Sequence, residues 1–228
     1  MIFGKKASIR RLQADDSYPN QEGFTIVESL VAIIVVGILL AAIAPVLSLS
    51  VATRVQSRRV ELATQAARSY IDGVRTQRIS APAGSATTTT LSAFDAPTTG
   101  SSFNCTANSY CTTTSTSTTP PTNLYCVDFD STGSCESTSI TDMVVQAFRP
   151  NNNNATTGYA LGVRVYRADA FKGNTTLLKN TSTTKTAQNP FTGGAGQRTA
   201  PLVEMTADIS DIVPKYSDLC ARFPGGCN

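Results

Sequence analysis

The sequence contains no histidine and no tryptophan among its 228 residues. Without histidine the chain cannot form a Ser-His-Asp or Cys-His catalytic arrangement or a histidine-containing zinc site. Charged residues are also scarce, at 15%, and 19 Lys and Arg against 16 Asp and Glu leave a net charge of +3. That balance is too weak to predict binding to nucleic acid from net charge. Most familiar hydrolase mechanisms are therefore excluded, and we expect no cofactor.

All cysteines lie beyond residue 100, and none has the CxxC spacing: Cys105, Cys111, Cys126, Cys135, Cys220 and Cys227. An even number of cysteines predicts disulfides in an oxidising compartment. A four-thiolate metal site is the competing interpretation, but it normally uses the paired short spacings that this chain lacks, so we expect no metal. Our preferred connectivity is local and pairs Cys105 with Cys111, Cys126 with Cys135 and Cys220 with Cys227. Bonds between cysteines farther apart in the sequence, which would close longer loops, are the alternative.

The longest apolar run extends from Ser29 to Thr53, 25 residues without a charged side chain. At about 1.5 Å per residue, a helix of this length reaches roughly 37 Å and exceeds the hydrocarbon core of about 30 Å. A secretory signal peptide is the competing interpretation, but its apolar region spans only about 7 to 15 residues. The A-x-A-like site at 42–44 lies inside the run, directly before Pro45. We therefore expect a retained transmembrane helix.

Glu28 lies at the edge of this apolar run. A carboxylate at bilayer depth costs roughly 2.5–3.5 kcal/mol on insertion scales and normally has a partner. One interpretation places Glu28 at the level of the lipid headgroups, where the carboxylate needs no partner. The other interpretation pairs Glu28 with a positive group of another chain. The segment before residue 23 carries four basic residues against three acidic ones, which favours a cytoplasmic N-terminus.

Gly23, Phe24 and Glu28, followed by the apolar run, resemble the processing site of type IV pilins and pseudopilins. The resemblance implies that residues 1–23 are a leader, that prepilin peptidase cleaves after Gly23, and that the new N-terminal Phe24 is N-methylated. It also implies that Glu28 meets the N-terminal amine of an adjacent subunit. Such a pair adds little net stability but disfavours every register that leaves one charge alone, so Glu28 would set the assembly register.

Gly37 and Pro45 lie where pilin helices often carry a glycine and a proline. The resemblance implies that the helix weakens around them when subunits leave the membrane for a filament. Proline contributes to this weakening because it removes one backbone hydrogen bond and kinks a helix.

The same resemblance implies the fold, the location and the partners. The fold is expected to be α+β and type IV pilin-like, with a long N-terminal helix, transmembrane over 24–53 and amphipathic over 54–80, packed on a small antiparallel sheet with disulfide-pinned loops. The chain is expected in the bacterial inner membrane, with a cytoplasmic N-terminus and a periplasmic head, and then in a pilus or pseudopilus. Its expected partners are prepilin peptidase, other pilins or pseudopilins and the inner-membrane assembly platform.

Apolar residues recur at spacings of three and four up to Val74, which predicts that the helix continues and stops near 81–84. Six arginines against two acidic residues between Arg54 and Ile79 form a basic face, which we interpret as solvated rather than as a nucleic-acid surface. Residues 81–140 are rich in Ser and Thr and approach low complexity at 112–119. We expect loops, linkers or irregular strands there, pinned by cysteines.

Residues 141–228 hold the stronger strand signals and should form the sheet. An apolar stretch at 143–148 and an alternating one at 159–166 predict an antiparallel pair, with a turn at 151–154 between them and with the second strand half-buried. Weaker strand signals lie at 176–178 and 202–205.

Four acidic residues of the head offer carboxylates for a calcium site: Asp128, Asp130, Glu136 and Asp142. The segment from Asp128 to Gly133 begins like an EF-hand loop, but the spaced Glu of that loop is missing. We therefore interpret these residues as solvated loop acids.

A length above 200 residues and a Thr-rich head fit a minor pilin or a pseudopilin better than an abundant major subunit. The stretch Tyr159 to Asp169 is similar to cyanobacterial pseudopilins of hormogonium polysaccharide secretion, which implies a role in polysaccharide export beside the motility and adhesion served by other pili. The competing hypothesis is a single-pass membrane-anchored periplasmic receptor or enzyme that is not assembled into filaments.

Overall fold

Helix α1 extends from Ile26 to Arg75, a continuous element of 50 residues that contains Pro45. The chain divides into two compact units between Val46 and Leu47. The structure is a computed structural model, and it describes Gly23, Thr88 and residues 25–85, 90–98, 104–111, 123–150, 158–173, 176–181, 198–210, 215–220 and 226–227. Residues 1–22 of the leader, Phe24, and the expected loops at 112–119 and 151–154 lie outside these residues.

In the first unit, the described part of α1 presents its apolar side chains outward. Ile33 is 72% exposed and Leu40 is 64% exposed, and none of the most apolar stretch is buried. Exposed apolar surface is unfavourable in water by roughly 25 cal/mol per Å², but it is acceptable in lipid. The helix is long and apolar enough to cross a membrane, as the sequence predicts.

Helix α1 ends at Arg75 rather than near residue 80, so the predicted end of the amphipathic segment is wrong. Gln77 takes the left-handed conformation, with φ of 58°, and the N–H of Arg78 donates to the carbonyl of Gly73 at 2.9 Å. This is the Schellman ending of a helix, which usually has glycine in the left-handed position. Ile79 then folds over Gly73, where an added Cβ would meet the Ile79 Cδ1 at 2.4 Å.

The strands of the second unit are β1 (Gly84–Ser85), β2 (Asn104–Thr106), β3 (Leu124–Val127), β4 (Ser134–Glu136), β5 (Met143–Pro150), β6 (Tyr159–Arg167) and β7 (Val203–Ile209), and a short helix α2 (Tyr216–Cys220) follows. The main sheet has the order β1-β5-β6-β7, with β3 also paired to β5, while β2 and β4 form a separate pair. The expected antiparallel pairing of β5 and β6 is confirmed. The signal at 202–205 belongs to the longer β7, whereas 176–178 contributes only an isolated bridge between Thr176 and Thr98.

Two short strands from the segment expected to form loops, linkers or irregular strands complete the free edge of β5. Strand β3 pairs with it antiparallel, and β1 pairs with it parallel, so the sheet is mixed rather than purely antiparallel and is not confined to residues 141–228. The Asn123 side chain holds the two short strands together: its Oδ1 accepts the N–H of Ala83 at 2.9 Å, and its Nδ2 donates to the Ala83 carbonyl at 3.3 Å.

The second half of α1 packs on one face of this sheet through a buried stripe of residues three or four apart: Ala63, Ala66, Ala67, Tyr70, Ile71 and Val74. The opposing side chains come from β3, β5, β6 and β7, and include Val145, Leu161 and Val163. Three alanines in this stripe leave little side-chain volume between the helix and the strands. Arg58 and Arg68, on the other side of this helix, are exposed, as expected for a solvated face.

Tyr70 joins the helix to the loop before β3. Its hydroxyl lies 2.6 Å from that of Tyr110, and the Tyr110 hydroxyl donates to the Ser80 carbonyl at 2.6 Å. Since Tyr110 has one hydroxyl proton, Tyr70 must donate to Tyr110. Burial raises the pKa of Tyr70, so this donor keeps its proton. The Tyr125 ring packs against both tyrosines, with centroids 5.2 and 5.4 Å away.

Strand β6 is buried on both faces, so the prediction of a half-buried strand is wrong. Leu161, Val163 and Val165 face the helix side, and Tyr166 on the other face joins a second cluster with Phe171 and Leu177. This cluster also contains Leu124 and three of the cysteines. The alternation in the sequence identified the strand, but it did not show that other segments of the chain cover its second face.

The cysteines pair as Cys105–Cys111, Cys126–Cys135 and Cys220–Cys227. This is the local connectivity preferred from the sequence, and it is confirmed. Cys111 of the first bond directly follows Tyr110 in the chain, and the second bond joins β3 to β4. Both therefore fix segments that pack on the sheet, while the third bond joins Cys220 of α2 to Cys227.

Replacement of Tyr70 with Phe removes the hydroxyl that donates to Tyr110. We expect a loss of about 1 kcal/mol in the free energy of unfolding, because the hydrogen bond is lost while the aromatic packing remains. Tyr216 is 75% exposed, so Tyr216→Phe is the matched control and should change little. Denaturant unfolding of both variants measures the difference, and equal stability of Tyr70→Phe and wild type would contradict the role of this bond.

Candidate assembly site in the N-terminal helix

The start of α1 is capped by Thr25. Its Oγ1 accepts the N–H of Glu28 at 3.3 Å, and its carbonyl accepts the N–H of Ser29 at 3.1 Å. A threonine side chain at this position satisfies one of the backbone donors that have no partner inside a helix. The cap places Glu28 in the first helical turn, where the partial positive charge of the helix end favours a carboxylate.

The Glu28 side chain is exposed. Within the part of the chain that the structure describes, no basic side chain pairs with it, and the ion pairs of α1 lie far along the helix, between Arg58 and Glu61 and between Arg75 and Asp72. Both interpretations of Glu28 therefore stay open on the geometry. A lipid headgroup region or a cation from another molecule would each accommodate it. Gly23, the residue before the expected cleavage, is also exposed.

Gly37 and Pro45 lie inside the continuous helix rather than at a break. An added Cβ at Gly37 would meet no atom within 4 Å, so the glycine is not required by packing inside this chain. Pro45 has no backbone N–H, so one hydrogen bond of the helix ladder cannot form there. The weakening of the helix at these residues stays a prediction for the assembling protein.

The protein-family model of the prokaryotic N-terminal methylation motif matches residues 18–44. This motif is characteristic of type IV pilins and pseudopilins. The N-terminal segment of the chain therefore carries the motif of type IV pilins and pseudopilins. The matched segment contains Gly23, Phe24, Glu28 and Gly37, and it ends directly before Pro45. Comparisons with curated proteins and with solved structures found no match.

The architecture of the pilin-like chain agrees with the motif. A long apolar N-terminal helix precedes a mixed sheet with disulfides, which is the expected α+β, type IV pilin-like fold. The apolar helix and the methylation motif together indicate a membrane-anchored protein. The motif also implies processing by prepilin peptidase and assembly with other pilins.

The pilin-like head contains a buried arginine that the sequence did not single out. Arg164 of β6 is 2% exposed, its Nε donates to Glu204 Oε1 at 3.1 Å, and its guanidinium lies 4.4 Å from the centre of the Phe148 ring. These side chains line a partly open cavity of about 440 Å³. In the sequence, Arg164 stands out only as an arginine within the alternating apolar stretch at 159–166. Its charge is balanced by Glu204, which is its register partner on β7.

The four acids of the head differ in exposure. Asp130 and Glu136 are exposed and Asp128 is partly exposed, but Asp142 is fully buried. The interpretation of all four as solvated loop acids is therefore wrong for Asp142. It directly precedes β5, and its Oδ1 accepts the backbone N–H of Phe129 at 3.0 Å, which draws the carboxylate inward.

Replacement of Gly37 with Ala tests the role of the glycine in assembly. Alanine fits without a clash and should stabilise the helix interior by about 1 kcal/mol, because glycine is the poorer helix former. If a weakened helix is needed for assembly, the variant should enter the membrane normally but reach sheared surface filaments less often. Immunoblots of membrane and filament fractions measure this, with Val36→Ala as the neighbouring control. Equal filament levels in Gly37→Ala and wild type would count against the weakening.

Proposed function

We propose that the chain is a minor pilin or pseudopilin, a structural subunit without enzymatic activity. The observation that carries this proposal is the outward-facing apolar helix with one carboxylate in its first turn, five residues after the glycine of the methylation motif. Glu28 is the only charged residue between Gly23 and Arg54. An apolar surface with one defined charge at its end suits ordered packing against copies of itself.

The apolar side chains of α1 must remain covered when the subunit leaves the membrane. Full burial of one such side chain is worth about 1.5–3 kcal/mol, so transfer of the bare helix into water is prohibitive. The helices of neighbouring subunits provide an equivalent apolar environment. In that environment the Glu28 carboxylate needs a cation, and the N-terminal amine of Phe24, created by cleavage, is the nearest chemical match. Cleavage would thus precede assembly because it generates the partner charge.

Two independent features support a cytoplasmic N-terminus and a periplasmic head. The segment before the helix carries four basic residues, which favours its retention on the cytoplasmic side. The head carries three disulfides, which form in an oxidising compartment. In this orientation Gly23 meets a membrane-embedded peptidase at the cytoplasmic surface, and the apolar helix lies in the membrane beside the assembly platform.

The process served by the filament is proposed to be polysaccharide export. The support is the similarity of Tyr159 to Asp169 to the cyanobacterial pseudopilins of hormogonium polysaccharide secretion. This stretch forms β6 and the short turn that follows it. A deletion strain should lose exported polysaccharide and recover it when the gene is restored. Normal export with a loss of twitching or adhesion would instead assign the filament to motility or attachment.

Processing of the leader tests the subunit proposal against a single-pass anchored receptor or enzyme. In its host the chain should be found without residues 1–23, beginning at an N-methylated Phe24, because the resemblance to type IV pilins implies cleavage after Gly23. Intact-mass measurement of the membrane fraction identifies the new N-terminus. A strain without prepilin peptidase should retain the full leader. An uncut chain in the wild-type host would favour the anchored receptor or enzyme and overturn the subunit proposal.

The Glu28→Ala variant tests the assembly role of the carboxylate separately from processing. We expect normal cleavage but at least about tenfold fewer subunits in filaments, a difference of about 1.4 kcal/mol, because the amine of the neighbour loses its partner. Glu61→Ala is the matched control, since Glu61 is an exposed carboxylate of the same helix outside the motif. Quantitative immunoblots of sheared filaments give the ratio. Incorporation of Glu28→Ala at the wild-type level would show that Glu28 does not set the register.

A further inference from the structure

The pairing of β3 with β5 brings two acids together at one end of the strands. Val127 and Met143 are register partners in this antiparallel pair. Asp128 follows the first of them and Asp142 precedes the second, so the two aspartates are neighbours across the strand ends. One carboxylate oxygen from each of Asp128, Asp130 and Asp142 lies within 4.8 Å of the others.

The chain between these strands folds as a tight acidic loop. Gly133 has a φ of 89°, a left-handed conformation that glycine adopts without strain. This turn lets Asp128 Oδ2 accept the Gly133 N–H at 2.8 Å. On the other side of the loop, Asp130 Oδ2 accepts the Ser139 hydroxyl at 2.9 Å. The carboxylates of Asp128 and Asp130 are therefore held in place before any ion arrives.

The Asp142 carboxylate is only half satisfied by hydrogen bonds. Its side chain is fully buried, and while Oδ1 accepts the Phe129 N–H, Oδ2 has no hydrogen-bond partner among the residues that the structure describes. Among the described residues, none of the ion pairs includes any of these three aspartates. An ionised carboxylate that is buried beside two further carboxylates is unfavourable unless a proton or a cation neutralises it, and three converging carboxylates suit a cation.

We propose that Asp128, Asp130 and Asp142 bind one calcium ion. Oxygens that share a calcium ion at 2.3–2.6 Å lie at most about 5 Å apart, which the separation in this cluster satisfies. The spacing of Asp128, Asp130 and Thr132 before Gly133 follows the first half of an EF-hand loop. Position 12, which is a Glu in an EF-hand loop, is Ser139 in this chain, and Asp142, directly before β5, supplies the missing carboxylate. The sequence pattern alone could not show that Asp142 takes the place of this Glu.

The chemistry of the ligands selects a hard cation. The chain has no histidine, and its six cysteines are all in disulfides, so nitrogen and thiolate ligands for zinc or copper are absent. Calcium accepts six to eight oxygens in flexible geometry, whereas magnesium requires near-ideal octahedral geometry and keeps its waters. Carboxylates from a loop and a strand end, with hydroxyls nearby, suit the larger ion. The ion would join the ends of β3 and β5 to the loop that carries β4 and its disulfide.

Calcium binding is tested on the full chain, purified in detergent and stripped with EGTA. Isothermal titration should give one calcium ion per chain, with a Kd between about 10⁻⁵ and 10⁻³ M, and much weaker binding of magnesium. The thermal midpoint of the head should rise in calcium, because the ion binds the folded state. No calcium binding up to about 10 mM, or equal affinity for magnesium, would overturn the proposal.

Two variants separate calcium binding from a purely structural role. Asp142→Asn removes the buried charge, so in EGTA it should be at least as stable as wild type, yet it should gain nothing from calcium. Asp130→Asn changes an exposed residue, is expected to fold, and should weaken calcium binding at least about tenfold. Asp72→Asn, a loss of an exposed carboxylate on α1, is the control and should respond to calcium like wild type. A wild-type calcium response in Asp130→Asn or in a folded Asp142→Asn would exclude these residues as ligands.

Discussion

The outward-facing apolar surface of α1 between Ile26 and Val46 is the constraint on which the rest of the molecule depends. Water penalises such a surface in proportion to its area, whereas lipid tails and the aliphatic side chains of another helix are similarly apolar environments. The segment therefore requires either a membrane or neighbouring helices throughout the life of the protein. A single carboxylate at its first turn gives this otherwise uniform surface a defined end, because an unpaired charge is unfavourable in any apolar environment.

The second half of α1 meets a different requirement, because protein rather than lipid covers it. Ala63, Ala66 and Ala67 are fully buried against the sheet, and the Tyr70 hydroxyl is hydrogen-bonded to Tyr110 in the loop before β3. The opposite side of the helix carries exposed arginines. In the second unit, helix packing, the tyrosine cluster and the disulfides together order segments whose composition alone is too polar to form a core.

The limits of sequence reasoning are clearest at three places. The alternation in β6 predicted a strand, but burial of both its faces depends on segments such as 90–98, whose Phe94 carbonyl accepts a bond from Arg164. The end of α1 was expected at Pro82 and Gly84, yet Gln77 adopts the conformation that usually marks glycine. Asp142 looked like a solvated acid because nothing in its neighbours along the chain indicates that Phe129 and Asp128 lie beside it.

Sequence patterns alone predict the apolar helix, the processing motif and the main strand pair, whereas they leave the pairing of the cysteines open. Each of the three predicted features depends on the order or spacing of residues close together in the chain, where helix and strand periodicity and charge act directly. Only the tertiary structure decided which short strands complete the edge of β5, what covers the second face of β6, and that Asp128, Asp130 and Asp142 meet. These features depend on contacts between segments distant in the chain, and such contacts are fixed by the packing of the whole head rather than by any local pattern.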